Sequence, residues 1–430
     1  MRPFKGLFAW ILLSAYLLTG CAPESDTAQS ATAAPTETVA VTQEPPTLTP
    51  EPTPAAPVVL TIWFPDDLLP INDDTLNALV EAEITEFASL ENGVQVEIRR
   101  KASRDIGGIM STLQTASSVA PGALPDITLI RREDVLLAVG EGLIQPLEGW
   151  IASSVIADLF PSALRLGRAD DQLYGLPYLL DIYLYAYRDN GESTPERWTF
   201  DAVVERGQTF TVPTLRANGM ADTLWLQYTA AGGQLPENGV LELTPGAVSD
   251  VLSFYEALAS AQLIAPGTSD YVSPASYIEP LRSGRIESGI VNTAILRQLV
   301  NADPPLHFAS VPTSSGQPET LTNGWMWVIV TPNSERQVWA GRFLNWMMEA
   351  GRHSTFAQAI AMPPTQRSAL RRWRIDGVDN TLLIEMLVDS LPAQPEVGTS
   401  SAARAFQAAW LDVVAGRMSA SEATAAALER

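Results

Sequence analysis

The sequence predicts an α/β fold with a mainly parallel sheet, because strand-like and helix-like patterns alternate along the chain. Residues 58–64 form a β-branched and aromatic run, and residues 94–98 alternate apolar with polar side chains. Between them, apolar residues recur at helical spacing from 76 to 90, behind the N-cap candidates Asp73 and Asp74. Strands that alternate with helices are joined by right-handed crossovers, which make the strands parallel.

The same alternation continues toward residue 140. The predicted elements are a helix at 106–117, a strand at 126–130 and a helix at 133–139. In sheets of this kind, ligands bind beyond the carboxyl ends of the strands. Side chains near those ends, such as Trp63, Asp66 and Arg131, are therefore candidates for a binding site.

Composition excludes several classes of protein. The chain has 430 residues, enough for two or three domains, and its net charge of −22 argues against binding nucleic acid. A single cysteine excludes an intrachain disulfide and a cysteine-ligated metal cluster. With only two histidines in addition, we predict no metal and no cofactor.

The first 21 residues predict an export signal with a lipid attachment site. Arg2 and Lys5 precede an apolar run at 7–18, which is shorter than the ~20 residues of a transmembrane span. Residues 18–21, LTGC, resemble the lipobox of bacterial lipoproteins, in which the cysteine is lipidated and becomes the new N-terminus. We therefore expect Cys21 to anchor the protein to the outer side of the cell membrane.

Residues 22–57 predict a disordered tether. The segment is dominated by proline, threonine and alanine, and it contains no aromatic residue, lysine or arginine. Such a composition cannot bury enough apolar surface to offset the entropy of ordering. The folded part is therefore expected at 58–430.

Several short motifs follow one another along the folded part: LTIW at 60–63, PDI at 125–127, GLIQPL at 142–147, LYGLPY at 173–178, RSGRIESGI at 282–290 and NGW at 323–325. Their order and spacing resemble the extracellular solute-binding proteins of ABC importers (family 1, the maltose-binding-like group), which mostly capture sugars. The chain departs from the family at 187–189, where YRD replaces the usual YNK, and at 282–290, which lacks the usual phenylalanine and lysine.

The resemblance implies a periplasmic-binding-protein-like clamshell of two discontinuous α/β lobes. Its first lobe would comprise residues of about 58–178 and 292–332, and its second lobe about 179–291 and 333–430. In this family a ligand favours closure of the lobes, and the closed form is recognised by the membrane permease subunits of the importer. We expect a monomer.

The resemblance also indicates which residues contact ligand. Asp181 occupies the position of a ligand-contacting carboxylate in maltose-binding proteins; a hinge carboxylate paired with an arginine is the alternative. A sugar offers apolar ring faces and hydroxyl edges, which suit aromatic, charged and amide side chains. The further candidates, for which core packing, solvation or a turn cap are the alternatives, are Trp63, Asp66, Arg131, Trp225, Asn292 and Trp325.

Enzymatic function has little support in the sequence. It contains no Walker loop and no G-x-G-x-x-G, G-x-S-x-G or H-E-x-x-H motif. A pair of carboxylates for glycoside hydrolysis stays open, because acids are plentiful, and a lipoprotein that senses ligand for a neighbouring receptor is a further alternative. We predict a non-enzymatic protein that captures a sugar or oligosaccharide and delivers it to an ABC importer.

Overall fold

The computed structural model describes residues 57–216, 219–236, 240–393 and 399–429. They belong to one unit of the chain, Ala55–Arg430. The signal peptide predicted at 1–21, the lipidation site predicted at Cys21 and nearly all of the tether predicted at 22–57 lie outside the described residues. No helix in the described ranges has both the length and the apolar character needed to cross a membrane.

The strands are β1 (Val58–Pro65), β2 (Val94–Lys101), β3 (Ile127–Arg131), β4 (Arg168–Ala169), β5 (Gln172–Leu173), β6 (Leu176–Tyr187), β7 (Phe210–Thr211), β8 (Ser288–Asn292), β9 (His307–Ala309), β10 (Leu321–Ile329) and β11 (Leu391–Pro392).

The helices of the first half are α1 (Asp74–Leu90), α2 (Ile109–Val119), α3 (Arg132–Gly140), α4 (Ser153–Asp158), α5 (Pro161–Leu166), α6 (Phe200–Arg206) and α7 (Asp222–Ala230). Those of the second half are α8 (Pro245–Ser260), α9 (Ile278–Arg282), α10 (Leu296–Leu299), α11 (Ser334–Met347), α12 (Ala350–Ala359), α13 (Arg367–Leu370), α14 (Asn380–Asp389), α15 (Ser401–Val414) and α16 (Ala420–Leu428).

The β/α alternation predicted for the start of the folded part is confirmed. The strands β1, β2 and β3 and the helices α1, α2 and α3 occur in the predicted order. The helix α1 begins as its sequence indicates, since the Asp73 carboxylate accepts a hydrogen bond from the backbone N–H of Leu76 at 3.0 Å. This satisfies one of the free N–H groups at the helix N-terminus.

The sheet is mixed: β1–β3 are parallel as predicted, and the pairs β7–β8 and β10–β11 are also parallel, but the strands at its centre are antiparallel. The strand order is β2-β1-β3-β10-β6-β8-β7. Both β2 and β3 run parallel to β1, but β10 is antiparallel to β3 and to β6, and β8 is antiparallel to β6. The βαβ crossovers near the N-terminus enforce parallel pairing. The strand β10 instead enters from the opposite end of the sheet, which reverses its direction.

Two hydrophobic cores define two lobes. The first lobe is built around buried residues such as Leu60, Leu129 and Trp327 of a core that takes in β1–β3, β10, α1–α5, α9–α10 and α11–α14. The second lobe consists of β7, α6–α8, α15 and α16, around buried residues such as Phe210 and Trp410. The strand β6 belongs to both, because residues 176–182 pair with β10 and residues 183–186 pair with β8.

The packing of the last third of the chain differs from the sequence-based assignment of residues 333–430 to the second lobe. Phe343 of α11 meets the ring of Phe87 at 5.2 Å between centroids, within the first core. Only α15 and α16 pack in the second core, where Trp410 meets Tyr255 at 5.1 Å. The loop after β10 is short, so α11 must pack against the sheet that β10 has just joined.

Candidate functional site

A cavity of about 340 Å³ lies where β6 passes from the first lobe to the second. Its volume falls within the ~300–1,000 Å³ that is usual for small-molecule sites. The first lobe contributes Arg104, Arg131, Glu133 and Asn323, the joining strands contribute Asp181, Tyr183 and Asn292, and the second lobe contributes Pro213, Leu215, Arg216, Ala221, Asp222, Thr223, Val272, Ser273 and Pro274.

Strand pairing places four polar side chains of the cavity in one row. Asn323 of β10 is paired with Asp181 of β6, and Tyr183 of β6 is paired with Asn292 of β8. Directly paired residues lie on the same face of a sheet, and residues two apart on a strand share a face. The row therefore runs across the point where the lobes join.

Asp181 is held by the chain segment that returns from the second lobe. Its carboxylate accepts hydrogen bonds from Asn292 Nδ2 at 2.9 Å and from the backbone N–H of Ala294 at 3.0 Å. Burial raises the pKa of Asp181, and the charge of Arg131 and these hydrogen bonds oppose the rise. The Thr293 hydroxyl lies a further 3.5 Å from Asp181 Oδ1. The alternative of a hinge carboxylate thus has structural support, although the hydrogen-bond partners of Asp181 among the described residues are an amide, a hydroxyl and a backbone N–H rather than an arginine. The same carboxylate lines the cavity.

Arg131 extends from the carboxyl end of β3 into the cavity lining. Its side chain is only 12% exposed, and its guanidinium lies 4.5 Å from the ring centroid of Trp325. One nitrogen is 3.4 Å from Asp67 Oδ2, whereas the buried Nε has no hydrogen-bond partner among the described residues. Arg131 therefore retains hydrogen-bonding capacity at the cavity.

The second lobe adds a pre-formed polar cluster. Arg216 Nη1 donates to Asp222 Oδ1 at 2.8 Å, and the Tyr183 hydroxyl donates to Asp222 Oδ2 at 3.2 Å. Burial, followed by the charge of Asp222, raises the pKa of Tyr183 far above its usual range. The phenol therefore stays protonated and acts as a donor.

The three tryptophans proposed as sugar platforms do not line the cavity. Trp325 is 2% exposed and lies against Arg131, and Trp63 is buried with Lys101 Nζ 4.7 Å from its ring centroid. Trp225 is buried in α7 and stacks on Tyr228 at 5.5 Å. Their positions agree with the alternative of core packing, because large apolar rings at strand and helix positions are usually buried.

Asp66 is also outside the cavity lining. It is exposed in the loop after β1, where its carboxylate accepts hydrogen bonds from the backbone N–H and the hydroxyl of Ser103, at 3.1 and 3.0 Å. Of the seven predicted contact residues, the structure thus brings Asp181, Asn292 and Arg131 together at the cavity.

Sequence reasoning missed several lining residues, although two of them carried a signal. Tyr183 lies two residues after Asp181, so strand periodicity places both on one face. Asn323 directly precedes the Gly324-Trp325 pair of the NGW motif. A Cβ atom at Gly324 would lie 2.0 Å from the backbone oxygen of Leu179. Glycine therefore permits the close approach of β10 to β6 beside Asn323. Nothing in the sequence singled out Arg104, Glu133, Arg216 or Asp222.

Comparison with known proteins identifies the family. A sequence profile described as bacterial extracellular solute-binding protein matches residues 83–375. A search of curated protein sequences finds no match.

Solved structures show the same fold. The cyclic α-maltosyl-1,6-maltose binding protein of Arthrobacter globiformis is 18% identical, with a TM-score of 0.66 over 87% of this chain and 98% of that one. The maltose-binding periplasmic protein of Listeria monocytogenes, in complex with maltose, is 15% identical, with a TM-score of 0.63 over 86% and 97%. A solute-binding protein of Thermotoga lettingae bound to α-D-tagatose is 18% identical, with a TM-score of 0.61 over 86% and 98%.

These three relatives are named as binding proteins and not as enzymes. Their likeness supports the two-lobe architecture predicted from the sequence. Because the family profile spans residues 83–375, more than half of the chain, the protein is a member of the bacterial extracellular solute-binding proteins, which act outside the cytoplasm.

Proposed function

We propose that this protein captures a saccharide in the cavity between its lobes and delivers it to an ABC importer, without changing it chemically. The observation that carries the proposal is the position of the cavity: it is lined by both lobes and by the strand that joins them. Relatives with the same fold are named for binding maltose, a cyclic maltose oligosaccharide or tagatose.

The row of polar side chains across the joining strands suits the hydroxyl edge of a sugar. Asp181 offers carboxylate oxygens as acceptors, and charge-assisted hydrogen bonds to such groups are roughly twice as strong as neutral ones. The amides of Asn292 and Asn323 add donors and acceptors in the same row. A saccharide lying along β6 would thus meet matched groups.

Contacts with both lobes couple binding to closure. Glu133 and Arg131 belong to the first lobe, and Arg216 and Asp222 to the second. A ligand that touches both sets binds the closed arrangement better than an open one, so it shifts the population toward closure. The permease subunits would then recognise the closed form.

Binding of a saccharide panel to the full chain tests the proposal. A ligand that binds only the folded state stabilises it by ~2.7 kcal/mol at a hundredfold excess over its Kd, so a thermal-shift screen reports binding. We expect Asp181→Ala to abolish the shift. Asp389→Ala, which removes an exposed carboxylate outside the cavity, serves as the matched control and should keep it. A ligand recovered as a new compound would instead favour a hydrolase.

Anchoring to the membrane is the second part of the proposal, and it rests on the LTGC sequence at 18–21 and on the tether at 22–57. Lipidated Cys21 would hold the binding domain at the outer face of the membrane, near the importer. In cells, Cys21→Ser should prevent labelling by a fatty-acid analogue and move the protein out of the membrane fraction. Membrane retention of Cys21→Ser without label would contradict lipid anchoring.

A further inference from the structure

The three carboxylates that line the cavity are already engaged. Asp222 accepts hydrogen bonds from Arg216 and Tyr183, and Asp181 accepts them from Asn292 and from the backbone of the returning segment. The carboxylate of Glu133 accepts a hydrogen bond from Asn323 Nδ2 at 3.1 Å. Each carboxylate is therefore held in place by the protein, and it keeps part of its acceptor capacity, since a carboxylate has about four acceptor sites.

Two arginines of the first lobe keep N–H groups that donate no hydrogen bond to another described residue. Arg104 is exposed and, among the described residues, has no hydrogen-bond or ion-pair partner. The buried Nε of Arg131 has no partner there either, and the 3.4 Å contact of Arg131 is with Asp67, whose side chain is 51% exposed. A guanidinium group has five N–H donors, so both residues keep donors for a ligand.

Chain topology explains why these two arginines line the same cavity. Arg104 follows the carboxyl end of β2, and Arg131 is the last residue of β3. Both strands run parallel to β1, which lies between them. The carboxyl ends of all three strands therefore reach the same edge of the sheet, where ligands bind in folds of this kind.

Stacking on an aromatic ring, which suits neutral sugars, has little basis at this site. Tyr183 is the only aromatic side chain among the described residues that line the cavity, and its hydroxyl is bonded to Asp222. On the acceptor side, the buried Oδ1 of Asn292 has no hydrogen-bond partner in the described ranges. The unpartnered groups thus include arginine N–H donors on the first lobe and an amide oxygen on the joining strand, beside carboxylates that the protein already holds in place.

From this balance of donors and acceptors, we infer that the ligand is a sugar acid: its carboxylate accepts hydrogen bonds from Arg131 and Arg104, and one of its hydroxyls donates to Asn292 Oδ1. The inference rests on the proposed function and adds a substrate class to it. A carboxylate matches the planar fork of a guanidinium. Three arginines and three carboxylates line the cavity, so their formal charges cancel, and a ligand with one negative charge adds less net charge to it than a phosphate dianion does.

The net charge of −22 does not oppose this assignment at short range. At physiological ionic strength, charges are screened over a Debye length of about 8 Å. The two arginines would be in direct contact with the ligand, so their charges are screened less than those of distant side chains. The global charge therefore lowers the rate of encounter more than the stability of the complex.

Calorimetric titration of the full chain with matched pairs tests the inference. One pair is galacturonate with galactose, and the other is glucuronate with glucose. Three further ligands are titrated beside them: digalacturonate, maltose and galactose 1-phosphate. We expect the uronates to bind at least tenfold more tightly than their neutral partners. Arg131→Gln should weaken uronate binding by about 10- to 100-fold, which is the range for loss of a hydrogen bond to a charged group.

Arg285→Gln is the matched control, since it makes the same change in charge at an exposed site outside the cavity, and it should leave the affinities unchanged. If Arg131→Gln fails to fold, Arg104→Gln at the exposed loop provides the same test. Tighter binding of the neutral sugars or of the sugar phosphate would overturn the inference and leave saccharide binding intact. Absence of binding for every saccharide would instead overturn the proposed function.

Discussion

The position of α11 in the first lobe can be tested by deleting one aromatic ring. Phe343 is 2% exposed and meets two rings edge-on, with centroids 5.2 Å from Phe87 and 6.2 Å from Trp327. Burial of a phenylalanine stabilises a protein by ~1.5–3 kcal/mol, and each aromatic pair adds ~0.5–1.5 kcal/mol. Phe343→Ala should therefore lower the free energy of unfolding by about 3–5 kcal/mol, which agrees with measured costs for such deletions.

Amide hydrogen exchange, measured by mass spectrometry of peptides, shows which elements lose stability in the variant. In Phe343→Ala, amides of β1, β10 and α11 should exchange faster, and those of α8 should not. The matched variant is Phe406→Ala in α15, which is equally buried and meets Tyr228 at 5.7 Å in the second core. It should accelerate exchange in α8 and leave β1 unchanged. Faster exchange of α8 in Phe343→Ala, with β1 protected, would refute the assignment of α11 to the first lobe.

Three further predictions concern charge and backbone. Partial burial and then the charge of Glu133 raise the pKa of Asp134 to about 6, so its ionisation above that pH destabilises the fold. Asp134→Asn should therefore add ~1 kcal/mol of stability at pH 8 and none at pH 4, in thermal melts. Burial lowers the pKa of His353, which accordingly stays neutral in the fold. The free energy of unfolding should fall as the pH drops below about 6.5, where the unfolded chain takes up the proton, and this slope should be smaller in His353→Asn. Gly324→Ala places a Cβ 2.0 Å from the Leu179 oxygen and should cost about 3 kcal/mol in urea unfolding and weaken ligand binding; wild-type behaviour would exclude the close strand contact.

Local patterns in the sequence predicted the start of the fold well. The alternation of apolar residues gave β1 and β2, and Asp73 marked the N-terminus of α1, because these signals depend on neighbours within a few residues. The direction in which each strand runs in the sheet could not be predicted from such local patterns. It depends on which lobe a strand arrives from, and β10 follows a segment of the second lobe that pairs with β6.

The sequence predicted those residues of the candidate site that lie at a strand end or on the strands joining the two lobes. Arg131 ends a strand, and Asp181 and Asn292 lie on the joining strands, so topology alone brings them to the cavity. The tryptophans did not indicate the position of the cavity. The ring of Trp325 is buried, whereas Arg131, which lies beside that ring, lines the cavity. Arg216 lies on a loop and Asp222 begins α7, and the positions of both depend on packing of the whole second lobe.

The use of β6 by both lobes separates two kinds of residue in this binding site. Asp181 and Tyr183 belong to the strand on which the lobes are joined, so under the proposed function we expect that replacing either alters both the contact with ligand and the balance between open and closed forms. Arg104 and Arg216 lie on loops that carry no strand pairing. In descendants of this chain, a new ligand preference should therefore arise first at these loop positions, while the residues of the shared strand persist.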